Sequence, residues 1–199
     1  PFDIRRARLE AWFGAHGHPR MDLSSLVSFA NWEELAAIRA GAAGEAVEGL
    51  MLKRGDSAYV PGRPKGPWFK WRFDPKLVDA VLMYAQRGHG KRSSFFSDFT
   101  FGVWKDDELV PVGKAYFGFT DEELKQLDAW VRKHAMERFG PVTAVERKLV
   151  LEVAFEGLQR SPRHKSGIAM RFPRISRIRW DKPADEADRI AMLEDLLES

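Results

Sequence analysis

A chain of 199 residues that is 44% hydrophobic holds enough apolar material for one sizeable core or two small ones. Its net charge of +3, with 31% charged residues, describes a mildly basic surface that fits nucleic acid and plain solvated faces equally well. The absence of cysteine excludes disulfides, thiolate nucleophiles and cysteine metal sites, no apolar run nears the roughly 18 residues of a membrane span, and no signal peptide opens the chain, so a soluble, cytoplasmic protein is expected.

Residues 4–13 carry Ile4, Leu9, Trp12 and Phe13 in helical spacing, with Gly14 and Gly17 as the expected stop. A second helix is predicted from Asn31, where N-W-E-E sets Glu34 in capping-box position, to Ala43. Residues 47–53 (VEGLMLK) and 68–73 (WFKWRF) have strand composition and are joined by the turn-rich DSAYVPGRPKGP. Asp74-Pro75 punctuates the chain and marks a domain boundary, giving domains of 1–74 and 75–199.

Three strand-like segments follow, at 79–86, 97–104 and 109–117. A helix then begins after Thr120, boxed by Glu123, carries an apolar stripe of Leu124, Leu127, Val131 and Phe139, and stops at Gly140-Pro141. Strands at 149–158 and within 171–182 complete the order of three strands, a helix and two strands. That order suits a five-stranded OB-fold barrel, a scaffold often used to hold nucleic acid, although other small barrels give a similar string. A last amphipathic helix, 185–197, is expected on the outside.

Three stretches carry chemistry. Glu48, beside Gly49 at a strand rim, is placed either to hold a divalent metal or a ribose hydroxyl, or simply to form a solvated strand-end pair with Lys53. Lys70 and Arg72 share one strand face, opposite Phe69, Trp71 and Phe73, and form either a phosphate clamp or the basic side of an edge strand. In RFPRISRIRWDK, residues 171–182, Arg177 and Arg179 lie on one face with Ile178 and Trp180 on the other, and the alternation slips near Ser176, as at a bulge. Those arginine forks suit a polyphosphate or a nucleic-acid backbone, and a surface ion-pair ladder explains them equally well. Asp181 then either orients Lys182 or approaches a metal.

Two basic loops, Arg87, Lys91 and Arg92 around His89, and Arg160, Arg163 and Lys165 around His164, are candidates for duplex phosphates against a reading as solvated charge. His16 and His18 have no further ligand cluster and predict no metal site, and Trp104 and Trp130 are expected in the core.

Together, EGLMLK, WFKWR and RFPRISRIRWDK resemble motifs IV, V and VI of the ATP-dependent DNA ligases, members of the covalent nucleotidyltransferase superfamily, and the resemblance covers essentially the whole chain. The surrounding DAVLMYAQRGHGKR, FTFGVW, VPVGKAY and EGLQRSPRHKSG are most similar to the stand-alone bacterial enzymes. The resemblance implies an α+β chain: residues 1–74 as the end of an ATP-grasp-like nucleotidyltransferase (adenylation) domain, and 75–199 as an OB-fold barrel with an inserted helix and a C-terminal helix. It implies nick sealing in duplex DNA through enzyme-AMP and DNA-adenylate intermediates, with ATP as cosubstrate and Mg2+ as the metal, in replication, repair and recombination. Glu48 would bind the metal, and Glu48, Lys53, Arg63, Lys70 and Arg72 the nucleotide. Lys70 would neutralise the α-phosphate, and Arg179, Asp181 and Lys182 would orient the departing pyrophosphate.

Two departures qualify the match. Arg72 stands where the family usually has lysine, and the family's arginine position in the preceding turn falls on Pro64, between Arg63 and Lys65. No K-x-D-G, the family's nucleophile motif, occurs in the sequence, and PFDIRRARLE resembles the helix just downstream of the family's motif IIIa. The expectation is a monomeric fragment, inactive in self-adenylylation without the N-terminal part of the adenylation domain, and partnered by that part and by nicked duplex DNA. RNA joining, cap guanylylation and a non-catalytic OB-fold DNA-binding module are the alternatives.

Overall fold

The computed structural model describes residues 1–42, 48–88 and 94–198. They form two compact units, Pro1–Phe73 and Asp74–Ser199.

In the first unit, helix α1 (Phe2–His16) runs through Gly14 and is capped only at Gly17. Gly14 therefore does not end it, and its lack of a side chain costs the helix propensity without breaking the turn. Helix α2 (Trp32–Gly41) starts where the Asn31 side chain accepts from the Glu34 amide. The returning Glu34 carboxylate takes the Ala30 amide rather than that of Asn31, at 2.6 Å, so the box closes one residue further out. Strands β1 (Gly49–Lys53) and β2 (Trp68–Arg72) form a two-stranded antiparallel sheet. Of the hydrophobic side chains described in this unit, Leu35 alone is buried.

The second unit is built on a curled antiparallel sheet in the order β11 (Arg174–Arg179), β8 (Val150–Phe155), β3 (Lys76–Arg87), β4 (Phe96–Lys105) and β5 (Glu108–Ala115). This is the strand order of an OB-fold, with β3 as its long first strand. β3 serves two neighbours on one side, pairing with β8 over its first half and with β7 (Val142–Val145) near its end, and bulges at Leu82/Tyr84 and Gln86/Arg87 let it bend between them. The curl brings the segment after β5 against β11, where Ile175 donates to the Phe117 carbonyl at 3.1 Å. Gly118, at φ +107°, makes that approach possible, because a Cβ there would lie 2.1 Å from the Ile175 carbonyl oxygen.

Alternation divides the sheet into two faces. Inward go Val78, Ala80 and Leu82 of β3, Phe99, Phe101 and Val103 of β4, and Leu151, Val153 and Phe155 of β8, all in one apolar cluster. Helix α3 (Asp121–Lys133), with its full Thr120–Glu123 capping box, adds Leu124, Leu127 and Val131 to that cluster. Helix α4 (Ile190–Glu198) adds Ile190 and a fully buried Leu193, so it belongs to the core rather than only covering the outside. A second, smaller cluster on the opposite face, Val81, Met83, Leu109, Val150 and Ala187, is closed by the 184–189 segment. Trp104 packs there and donates its indole N–H to the Ala184 carbonyl at 2.6 Å, while Trp130 packs on the main core and stacks on His134.

Two hairpins depart from the expected strings. The helix ends at Lys133, and 135–145 form β6 (Ala135–Phe139) and β7, turning at Gly140 with φ +59°. Phe139 is an exposed strand residue, not the last member of the helix stripe. Likewise the expected strand 149–158 divides into β8 and β9 (Gly157–Arg160), and β9 pairs with β10 (Ile168–Arg171) before the chain turns through Phe172, at φ 51°, into β11. Among the described residues no helix is long and apolar enough to cross a membrane.

Candidate functional site

In the first unit, the β1–β2 register sets Gly49 opposite Arg72, Met51 opposite Lys70 and Lys53 opposite Trp68. Directly opposed residues share a face, so Lys53, Lys70 and Arg72 project from the same side of the hairpin. Glu48 reaches this assembly from the strand's entry, its carboxylate 3.9 Å from Arg72 Nη2. Gly49 sets that entry: its φ is +129° and a Cβ would meet the Trp71 carbonyl oxygen at 2.3 Å. Arg39 of α2 holds β2 from behind, donating to the Arg72 carbonyl at 2.6 Å with its guanidinium over the Trp71 and Phe73 rings.

Lys53 stands over the Trp68 and Phe2 rings, 4.9 and 5.0 Å from their centroids, and lines a cleft of about 650 Å³ with Arg5, Arg6 and Met51. Lys70, Arg72 and Glu48 do not line that cleft. Arg63 does not line that cleft either; it lines a pocket of about 290 Å³ with Tyr59, Pro64 and Trp68, of which Tyr59 and Trp68 also border the cleft.

In the second unit, the end of β11 draws its charged residues into one cluster. A turn with Lys182 N donating to the Arg179 carbonyl brings Asp181 and Lys182 back beside Arg179. Arg179 donates through Nε and Nη2 to Asp181 at 2.9–3.3 Å, and through Nη1 to Asp79 Oδ2 at 2.9 Å. Lys182 Nζ reaches the same Asp79 oxygen at 2.8 Å. Arg177 Nη2 stands 3.7 Å from Asp181, and the register aligns Asp79 with Glu152 and Glu152 with Arg177 across β3, β8 and β11. Hydrogen bonds from Arg179 hold the Asp181 carboxyl down at about 2, and the same bonds raise Arg179 further above its already high value.

The alternation slip sits between Ile175 and Arg177, as a bulge. Ile178 is buried, but Trp180 is exposed in the turn and does not join it on the apolar face. Arg174 and Arg171 belong to separate strands, with Arg174 3.9 Å from Glu156.

Of the basic loops, Lys91, Arg92 and His89 lie outside the described residues. Arg87 ends β3 with its guanidinium 5.5 Å from the Phe96 ring, on a cleft of about 250 Å³ that Arg132 and Arg138 also line. Arg160 ends β9, and Arg163 lies in the turn before β10, where the Ser161 hydroxyl meets His164 Nδ1 at 2.8 Å. Lys165 forms an ion pair with Glu108, whose carboxyl is held below its usual range by that hydrogen bond. His16 stacks on Trp12, and no group of three potential metal ligands occurs among the described residues.

Sequence reasoning named Arg179, Asp181 and Lys182 but missed Asp79, Glu152 and Asp128. Asp128 is buried in α3 and accepts from the Phe96 amide and from Arg132, raising that guanidinium's pKa. Asp79 sits 100 residues before Arg179, and a lone aspartate in an apolar strand gives no local sign of its partner; its one signal was a charge among residues otherwise fit for burial.

Residues 92–182 match the family model described as the ATP dependent DNA ligase C terminal region. The chain is 44% identical over 167 residues to a probable DNA ligase of Koribacter versatilis, covering 84% of this chain and 29% of that protein. It is 36% identical over 197 residues to a DNA ligase of Natronomonas pharaonis, covering 98% of this chain and 35% of that protein. The chain thus spans about a third of the length of these relatives or less. Among solved structures, the ligase domain of LigD from M. tuberculosis aligns at a TM-score of 0.51 and 23% identity over 94% of this chain and 60% of its own. A Lig E DNA ligase aligns at 0.62 and 19% identity over 89% and 58%, and at these identities the likeness speaks to fold. The matched segment contains Arg177, Arg179, Asp181 and Lys182, with Asp79 lying before it, and with a relative 44% identical over 84% of this chain, the chain belongs to the ATP-dependent DNA ligase family, in its C-terminal region.

Proposed function

We propose that this chain serves an ATP-dependent DNA ligase in two ways: its first unit supplies phosphate-neutralising groups to the adenylation site, and its second supplies an OB-fold domain that assists pyrophosphate departure and holds nicked duplex DNA. The observation that carries the proposal is the convergence of Arg179, Asp181 and Lys182 into one cluster at the end of β11, within the segment matched to the ligase family.

In the proposed first step a lysine outside this chain attacks the α-phosphorus of ATP. A nitrogen–phosphorus bond forms, the bond from that phosphorus to the bridging oxygen breaks, the pyrophosphate carries away the electron pair, and the lysine's proton passes to solvent. Lys70 and Arg72, on one face of β2, neutralise charge on the transferring phosphate. Arg179 and Lys182 neutralise the leaving pyrophosphate, and Asp181 keeps the Arg179 fork in one orientation. AMP then passes to the 5′-phosphate of the nick, and the 3′-hydroxyl displaces it.

Glu48 fits Mg2+ as a single hard oxygen donor, since its carboxylate is half exposed at the strand rim, and Mg2+ is commonly held by one or two carboxylates with substrate phosphates and water. Bound there, the ion would supply Lewis-acid stabilisation of phosphate charge. Arg87, Arg160 and Arg163 would meet backbone phosphates of the duplex, as expected of sequence-independent binding.

A hybrid enzyme tests this reading: residues 1–199 are placed in the Koribacter versatilis relative in exchange for its matched segment. The hybrid is expected to form a covalent AMP adduct and to seal nicked duplex DNA with ATP and Mg2+. A folded hybrid that neither adenylylates nor seals, while the parent relative does both, would overturn the proposal. Sealing confined to nicked RNA would reassign the substrate.

A further inference from the structure

Among the described residues, Asp79 is the one acid that hydrogen-bonds both Arg179 and Lys182. Its Oδ2 accepts from Arg179 Nη1 at 2.9 Å and from Lys182 Nζ at 2.8 Å, while its side chain is only 13% exposed. Its Oδ1 is buried and has no hydrogen-bond partner among the described residues. The backbone around it is equally fixed: the Asp79 amide donates to Asp188 Oδ2 at 2.7 Å, and the Asp188 amide returns a bond to the Asp79 carbonyl at 2.9 Å. Asp79 thereby ties three elements together, β3, the end of β11, and the segment that leads into α4.

We propose that Asp79 is a positioning residue for pyrophosphate departure: its carboxylate draws the Arg179 guanidinium and the Lys182 ammonium to one point, so that both reach the same leaving group. The proposal rests on the ligase reading above. Two long cationic side chains three residues apart, one at the end of β11 and one beyond the turn, repel and would otherwise spread into solvent, each retaining its rotamer freedom. A shared anion held by strand pairing removes that freedom before substrate arrives, so the entropy of ordering is not lost during the reaction. Asp181 cannot do this alone, because it is exposed and engages Arg179 but not Lys182. The cluster's charges also balance. Arg177, Arg179 and Lys182 stand among Asp79, Glu152 and Asp181, so the cations act in the directions their bonds set rather than as a diffuse positive patch.

The test uses the hybrid enzyme and the Asp79→Asn variant, which keeps shape but removes the charge. If the unsubstituted hybrid forms no AMP adduct, the ligase reading itself fails, and that outcome is read before any variant is compared. Given an active hybrid, Asp79→Asn is expected to slow AMP-adduct formation at saturating ATP by tenfold or more, while sealing of a pre-adenylylated nick changes by less than twofold. A merely structural role would depress both stages alike. Equal loss at both stages, or adenylylation within twofold of the parent, would overturn the proposal. Should Asp79→Asn fail to fold, the unsubstituted chain still provides the measurement: a heteronuclear NMR correlation across the hydrogen bond from Lys182 Nζ to the Asp79 carboxyl carbon is expected, and rapid averaging of the Lys182 ammonium with no such correlation would overturn it.

Discussion

Asp181 is exposed, yet Arg179 grips its carboxylate with two nitrogens, and the consequence is titratable. Its pKa stands at about 2 against an ordinary 3.8. A depressed carboxyl stabilises the fold above its unfolded value, so the contribution is complete above 3.8 and is lost as pH falls through about 2. The Asp181 carboxyl resonance is therefore expected to titrate about two units below a free aspartate by NMR, and the Arg179→Met variant should return it towards the ordinary value. In the complete enzyme, Asp181→Ala is expected to cut AMP-adduct formation by a factor of ten or more and to spare the sealing of a pre-adenylylated nick, whereas Glu48→Ala or Lys70→Ala should impair both stages. Single-turnover assays of the two stages separate these outcomes. At this scale the sequence made the neighbours legible. Arg177, Arg179, Asp181 and Lys182 are close in the chain, and strand alternation alone sets the two arginines on one face. It did not reveal that internal acids already balance them, since Asp79 and Glu152 enter from other strands. Of the two readings of RFPRISRIRWDK, the ion pairs of the ladder are what the structure shows; the anion grip is the proposal, in which the ladder would give the grip its geometry.

Helix starts were readable because a cap is a local event. Asn31 and Thr120 each hold the amide three residues on, and Thr120 completes the reciprocal box. Thr120→Ala is expected to cost about 1 kcal/mol in chemical denaturation, with an unchanged m-value. Helix ends were harder to read. Phe139 extended the α3 stripe in the sequence, but 142–145 found an open edge along the last residues of β3, and that pairing draws 135–139 into a hairpin instead. Gly140-Pro141 marks the turn of that hairpin, which a one-dimensional pattern cannot distinguish from a helix stop. The same holds for 157–171, where β9 and β10 satisfy each other and leave β11 free to pair with β8. Gly118 is the element-scale test of the curl. Gly118→Val brings a side chain into the Ile175 carbonyl and forces a strained φ, so it should destabilise the second unit by about 1–3 kcal/mol or more, read from its denaturation midpoint.

Over the whole molecule the two units differ in kind. The second buries Phe99, Phe101, Phe155, Leu127 and Leu193 completely, and each such side chain contributes roughly 1.5–3 kcal/mol. The first leaves Trp32, Tyr59 and Phe69 more than half exposed and buries Leu35 alone of its described hydrophobic side chains. Residues 74–199 are expected to unfold in one cooperative transition when expressed alone, and 1–73 to show none, as circular dichroism on each piece would report. The second unit should bind duplex DNA weakly, without sequence preference, and with affinity falling steeply as salt rises. Arg163→Ala should flatten that salt slope more than Lys165→Ala does, because Lys165 already pairs with Glu108. What the sequence determined by itself was local or contiguous: caps, strand faces, the charged motifs and the order of strands that suits an OB-fold, all written within spans that a helix turn or a strand period can read. Only the tertiary structure decided which segments pair with β3, how far Gly118 lets the sheet curl, and that Asp79 joins Arg179 and Lys182, because each depends on residues far apart in the chain competing for the same backbone edge or the same charge.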